Sequence, residues 1–266
     1  MNGPSMVHLE LSAQCNKSCP NCQRRVAEIE APDIVRQWGF MPMDMVRMLA
    51  DDLPGGIVLS LHGRGEPLMF PRLQEALMRL SSKNRILHFD SNIKLLVEKA
   101  DEVIDNLDVL TVSLLEGNSY ESEVEQFTIL TKFLKIRRDR KPRVVIRMTG
   151  NVSNKVPWYQ TGLPVVTRPL HARHGRAGYT RAPVAPEFHI CLEMLQRLFI
   201  DYEGNVRPCV RYDIWGENII GHLEKDYDLW KIWNGMKRQE RLMQHIAGKR
   251  LGFCATCQYW GLASGG

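Results

Sequence analysis

No apolar run in this chain of 266 residues reaches the roughly 18 residues that a membrane-spanning helix needs, so a membrane protein is not expected. Residues 1–12 hold neither a charged leader nor an apolar one, and a secretory signal is not expected either. Internal repeats are absent. A hydrophobic content of 44% excludes the disordered, collagen-like and coiled-coil classes. Cysteine is scarce and odd in number, at seven. Without a secretory signal an odd set is a poor disulfide framework, and close spacing points to metal ligation instead. These absences leave a cytoplasmic protein that holds iron or zinc. Its length suits one large domain, or one medium domain and one small.

Acidic residues are missing altogether between Asp139 and Glu187. Arg140, Lys141, Arg143, Arg147, Lys155, Arg168, Arg173, Arg176 and Arg181 lie there, with His171 and His174. The net charge of +5 is therefore concentrated in one segment. A patch of one sign marks where a charged ligand approaches.

Six short β-rich runs occupy 7–12, 57–62, 86–90, 109–115, 144–148 and 165–168. Helical patterns at 43–52, 71–81, 93–103 and 119–138 separate them, and 149–162 is too irregular for a long helix. Alternating strands and helices predict a parallel sheet with right-handed crossovers. Six strands are too few for an eight-unit closure, so the expected fold is α/β, a partial, open parallel β/α barrel over residues 1–170. Residues 171–186 form a basic Gly/Pro-rich connector. Residues 187–266 predict a small α+β domain: a hairpin of 195–201 and 205–210 turning at Gly204, then helices within 227–248 that break at Asn234-Gly235.

Cys15, Cys19 and Cys22 form C-x3-C-x2-C directly after the first expected strand. Three thiolates on one loop ligate three irons of a [4Fe–4S] cube and leave the fourth open to a substrate or cofactor. In a parallel barrel that loop lies at the end where active sites gather. The remaining cysteines, Cys191, Cys209, Cys254 and Cys257, make a set of four that suits either tetrahedral zinc or a closed [4Fe–4S] cluster. Spacing alone does not choose.

The cysteine triad, followed by Gly65-Glu66-Pro67 after the second strand, resembles the radical S-adenosylmethionine (SAM) superfamily. The resemblance implies an open iron that chelates SAM and an electron transfer that cleaves it to methionine and a 5′-deoxyadenosyl radical. It implies an external one-electron reductant of flavodoxin or ferredoxin type. The run His62-Gly63-Arg64-Gly65-Glu66-Pro67-Leu68 matches the segment whose backbone meets the amino group of SAM. Ser91 and Asn92 match the ribose side, and Ser113 a SAM-contacting serine. Arg147 and Asn151 match positions near the methionine carboxylate and adenine. One departure stands out, because Asn21 occupies a position that is usually aromatic.

The spacing Cys191-x12-Gly204-x4-Cys209, with Gly221-His222, Trp230, Trp233 and Cys254-x2-Cys257, resembles the SPASM extension in its shortened twitch form. That resemblance implies one auxiliary [4Fe–4S] cluster rather than zinc, and two clusters in all. The layout is similar to that of the aminocyclitol dehydrogenase type of butirosin biosynthesis, in which the substrate radical passes an electron to the auxiliary cluster.

Arg168, His171, Arg173, His174 and Arg176 suit an anionic substrate, whether a small molecule, a nucleotide or nucleic acid. Oxidation of such a substrate is the leading expectation. A redox-neutral rearrangement in nucleoside or nucleic-acid modification and a peptide-maturation reaction are the alternatives. A zinc-binding nucleic-acid module is the non-enzyme alternative.

Overall fold

Several segments alternate between apolar and other residues: Val7-His8-Leu9-Glu10, Leu59-Ser60-Leu61-His62, Leu87-His88-Phe89-Asp90 and Leu110-Thr111-Val112-Ser113. In extended chain this alternation builds one apolar face and one polar face. The computed structural model describes residues 3–168, 170, 191–210, 213–226, 228–249 and 254, and it places these segments side by side.

The strands are β1 (Met6–Leu9), β2 (Val58–Ser60), β3 (Ile86–Ser91), β4 (Val109–Leu115), β5 (Arg143–Thr149), β6 (Val165–Arg168), β7 (Arg197–Ile200), β8 (Asn205–Arg207) and β9 (Gly221–His222). They form one sheet in the order β6-β5-β4-β3-β2-β1-β7-β8-β9. From β6 to β7 every pairing is parallel, and β7, β8 and β9 pair antiparallel. The sheet is open, as the strand count predicts. The hairpin of β7 and β8 turns at Gly204, where φ is +87°. It continues the barrel sheet along β1 rather than starting another.

Register makes the apolar face continuous. Val7 pairs with Leu59 and Leu198, Phe89 with Leu110, and Val112 with Ile146. All of these side chains are buried, together with Val46, Leu49, Leu73, Leu77, Leu130 and Phe133 from the helices Met43–Asp52, Leu73–Leu80 and Tyr120–Arg137. The other face carries His8, Ser60, His88, Asp90, Thr111, Ser113 and Arg147. Parallel sheets usually bury two apolar faces, so this polar face departs from the usual pattern.

One expectation is corrected, and two further helices appear. Of 93–103 only Ala100–Val103 is helical. The chain turns first at Ile93, with φ +57°, because the Ser91 hydroxyl accepts the Ile93 N–H at 2.8 Å. Helices Gln23–Glu30 and Pro32–Arg36, which periodicity does not indicate, follow the first cysteine loop. Among the described residues no helix is long and apolar enough to cross a membrane.

Candidate active site

The first three cysteines stand on the loop between β1 and the helix Gln23–Glu30, with Cys22 at the N-cap. The Cys22 N–H donates to the Cys19 carbonyl at 3.1 Å, which closes the loop into a turn. All three thiols are partly accessible and unpaired by disulfides. Burial pushes the Cys15 thiol up and the Cys19 thiol to about 11. Such thiols become thiolates when a metal displaces their protons. Three soft donors on one turn fit an iron–sulfur cluster.

Three neighbouring segments fix this loop. The first is 38–41, which runs against 11–13: the Ala13 N–H donates to the Gly39 carbonyl and the Met41 N–H to the Leu11 carbonyl, both at 2.9 Å. The second is the turn after β2. The Glu66 N–H donates to the Gln14 carbonyl at 2.7 Å. A Cβ at Gly65 would meet the Gln14 and Ser12 carbonyl oxygens, so only glycine lets the two backbones approach. The third is the end of β4. Asn21 donates from Nδ2 to the Glu116 carbonyl at 3.0 Å, which gives that departure from the family pattern a structural role.

Glu66 turns inward. Its Oε1 accepts the Leu68 N–H at 3.1 Å and the Ser91 hydroxyl at 2.7 Å, and its Oε2 accepts the Asn92 N–H at 2.8 Å. Burial, opposed by these three donors, pushes its carboxyl up to about 7. Glu66 therefore ties the β2 turn to the end of β3, and Ser91 is buried and engaged in that tie. Asn92 reaches outward, with Nδ2 at 2.9 Å from Asn16 Oδ1 and 3.8 Å from Cys15 Sγ. Gln126, buried on the helix Tyr120–Arg137, was not foreseen. Its Oε1 accepts from Lys17 Nζ and its Nε2 donates to the Asn92 carbonyl, both at 2.9 Å, and Nε2 also donates to the Ser113 carbonyl at 3.3 Å. One amide thus joins the cysteine loop to two strand ends.

Asp90 lies two residues before Asn92 on the same face, about 6–7 Å deeper by strand rise. Arg147 bonds Asp90 Oδ2. His62 Nε2 lies 3.4 Å from Oδ2 and His88 Nε2 3.2 Å from Oδ1. Burial works to raise the Asp90 carboxyl, but His62, Arg147 and His88 outweigh it and hold it well below the usual carboxylate range. His62, His88 and Asp90 offer three candidate metal ligands within 4.8 Å of one another. The hydrogen bonds argue against a metal there. His62 Nδ1 accepts the Asp90 N–H at 3.3 Å, which assigns the proton of the neutral ring to Nε2. A histidine that ligates through Nε2 carries its proton on Nδ1. The group is a fixed polar floor beneath the cysteine loop.

Ser113 and Arg147 are register partners on β4 and β5, so these two expected contacts are neighbours. Asn151 lies beyond β5 on the surface. Its side-chain oxygen accepts from Lys155 Nζ at 3.0 Å. Pro67 opens the short 3-10 helix Pro67–Met69, which Glu66 caps. Arg168, at the end of β6, is half-buried. Cys191 stands at the N-cap of the helix Leu192–Gln196, Cys209 just after β8, and both are partly accessible, as is Cys254. Cys257, His171, Arg173, His174 and Arg176 lie outside the described residues.

Residues 191–258 match the SPASM family, described as an iron–sulfur cluster-binding domain. Three solved structures share the fold. BtrN in complex with AdoMet and 2-DOIA has a TM-score of 0.61 at 18% identity, over 95% of this chain and 92% of that one. SuiB of Streptococcus suis bound to S-adenosylmethionine has a TM-score of 0.65 at 12% identity, over 96% and 72%. The protein anSMEcpe with bound AdoMet has a TM-score of 0.60 at 12% identity, over 91% and 84%. No curated protein sequence matches the chain significantly. The chain shares the open α/β fold of these three proteins, with a SPASM segment at residues 191–258.

Proposed function

We propose that this chain is a radical SAM enzyme with a SPASM segment, which reductively cleaves SAM and abstracts hydrogen from a polar, anionic substrate. The observation that carries this reading is the junction of Cys15, Asn92 and Glu66, where a three-thiol loop meets two strand-end loops. Cys15, Cys19 and Cys22 would hold the SAM cluster, and Cys191, Cys209, Cys254 and Cys257 the auxiliary one. The clusters supply one-electron chemistry when bound.

The protein positions SAM and excludes water. Backbone of the Gly65-Glu66-Pro67 turn, Asn92, Ser113 and Arg147 would line the SAM site, with Ser91 acting through Glu66 and Asn151 at the rim. Barrel residues 1–170, connector 171–186 and auxiliary residues 187–266 divide the labour. The connector's arginines and histidines, with Arg168, would meet the anion. An external flavodoxin- or ferredoxin-type protein would supply the electron. BtrN, SuiB and anSMEcpe are each described with SAM bound, which supports the cofactor assignment.

In the favoured reaction Cys191, Cys209, Cys254 and Cys257 would hold a cluster able to take up the one electron that the substrate radical gives up, with one proton released to solvent. The product is then two hydrogens lighter than the substrate. A rearrangement leaves the mass unchanged. The assay offers deuterated candidate substrates to the anaerobically reconstituted enzyme and scores deuterium in 5′-deoxyadenosine. About eight irons per chain are expected. Zinc in their place, with no SAM cleavage, sinks the reading.

A further inference from the structure

Arg64 is flanked by Gly63 and Gly65 in the β2 turn. A Cβ at Gly63 would meet the Glu10 carboxylate, so the turn is pressed onto Glu10. The Arg64 guanidinium grips that carboxylate as a fork, with Nε at 3.0 and 3.1 Å from its two oxygens and Nη2 at 2.5 Å from Oε2. The same Nη2 lies 3.5 Å from Asp201 Oδ2, just past β7. Asp201 Oδ2 also accepts from Arg207 Nη1 at 2.8 Å, and Arg207 Nε lies 3.4 Å from Asp213 Oδ2. The Arg64 guanidinium lies 5.0 Å from the Trp38 ring centre and 5.7 Å from that of Tyr202. The Tyr202 hydroxyl donates to the Gln37 carbonyl at 3.0 Å.

The charges alternate along this buried chain: Glu10, Arg64, Asp201, Arg207, Asp213. Side-chain exposures of 0, 10, 1, 5 and 2% leave no member to water alone. One end lies five residues before Cys15. The other brackets Cys209, with Arg207 two residues before it and Asp213 four after. A buried ion pair adds little net stability, but it fixes geometry, since an unpaired partner is costly. We propose that Arg64 is a positioning residue that, beyond the end of the β1–β7 ladder, clamps the turn of the auxiliary-cluster hairpin to the SAM-cluster loop by gripping Glu10 and Asp201 together. The proposal rests on the two-cluster reading above. Electron passage between the two sites depends on their separation, so this grip sets a functional distance.

The test uses the full chain, reconstituted with iron and sulfide and reduced with dithionite, with SAM as the only added probe. Electron paramagnetic resonance reads the spin–spin interaction between the two reduced clusters and the response of the first cluster to SAM. Arg64→Gln is expected to keep both clusters while spreading the interaction over a range of values, and the SAM response is read in Asp201→Asn, which lies outside the SAM turn and is expected to keep it. Arg64→Lys, which keeps the charge but lacks the fork, recovers part of the defined interaction. Asp201→Asn spreads it as Arg64→Gln does, and the double variant is no worse than either single, because the pair acts as a unit. An unchanged interaction in Arg64→Gln overturns the proposal, and so do fully additive single effects. Loss of both clusters in Arg64→Gln and Arg64→Lys alike also overturns it, since Arg64 would then serve folding. A wild-type iron content of about four instead overturns the two-cluster reading, before any variant is compared.

Discussion

The carboxyl of Glu66 is enclosed, and its pKa of about 7 has a consequence for stability. Between the ordinary glutamate value of about 4.3 and 7, the native chain holds a proton that the unfolded chain releases. Stability from this residue is therefore fully present below that window and is lost as pH rises through it to 7, by about 4 kcal/mol in all. Glu66→Gln removes this slope. It also turns an amide N–H2 toward one of three donors, at a cost of about 1–3 kcal/mol. Denaturant melts of the metal-free protein at pH 5 and pH 8 check both effects. A variant as pH-dependent as the wild type would show that another group carries the slope. This residue illustrates what the sequence makes legible. The run of Glu66-Pro67 after a strand singles Glu66 out, but its partners Ser91 and Asn92 lie 25 and 26 residues away and only register brings them close. Gln126 carries no local signal at all, because one glutamine on a helix becomes a junction only when the helix docks.

At the scale of elements, boundaries set by local chemistry are legible and those set by partners are not. The helix expected at 43–52 is Met43–Asp52, and the strand expected at 109–115 is Val109–Leu115, because each carries its own period. The helix Gln23–Glu30 escapes because its buried residues are Gln23, Arg24 and Ala27, which make no apolar stripe. The polar sheet face is written into the alternation of 87–90 and 110–113, although which of these residues meet depends on the pairing of β3 with β4. The β2 turn gives a second prediction. Gly65→Ala drives a methyl into the Ser12 and Gln14 carbonyls, so the turn must lift off the cysteine loop. Overpacking of this kind costs about 1–3 kcal/mol. The expected readout is a lower melting temperature together with fewer irons retained after reconstitution. Full iron content in this variant would show that the loop holds its shape without the turn.

For the whole molecule, the sheet joins what the sequence divides. Strand β7 covers an edge of β1, where Val7 and Leu9 are fully buried. A chain ending at residue 190 would leave that edge unpaired and expose apolar surface beside it. It is expected to elute as aggregate in size-exclusion chromatography, whereas a soluble monomer would show that the barrel stands alone. The same pairing has a consequence in time. Val7 pairs with Leu59 on one side and Leu198 on the other. At roughly 5–20 residues per second, β1 waits on the order of 10–40 s for this second neighbour to be made. The cysteine loop that follows β1 is braced by 38–41, the β2 turn and the end of β4, so its supports are made well before the strand that closes the β1 edge.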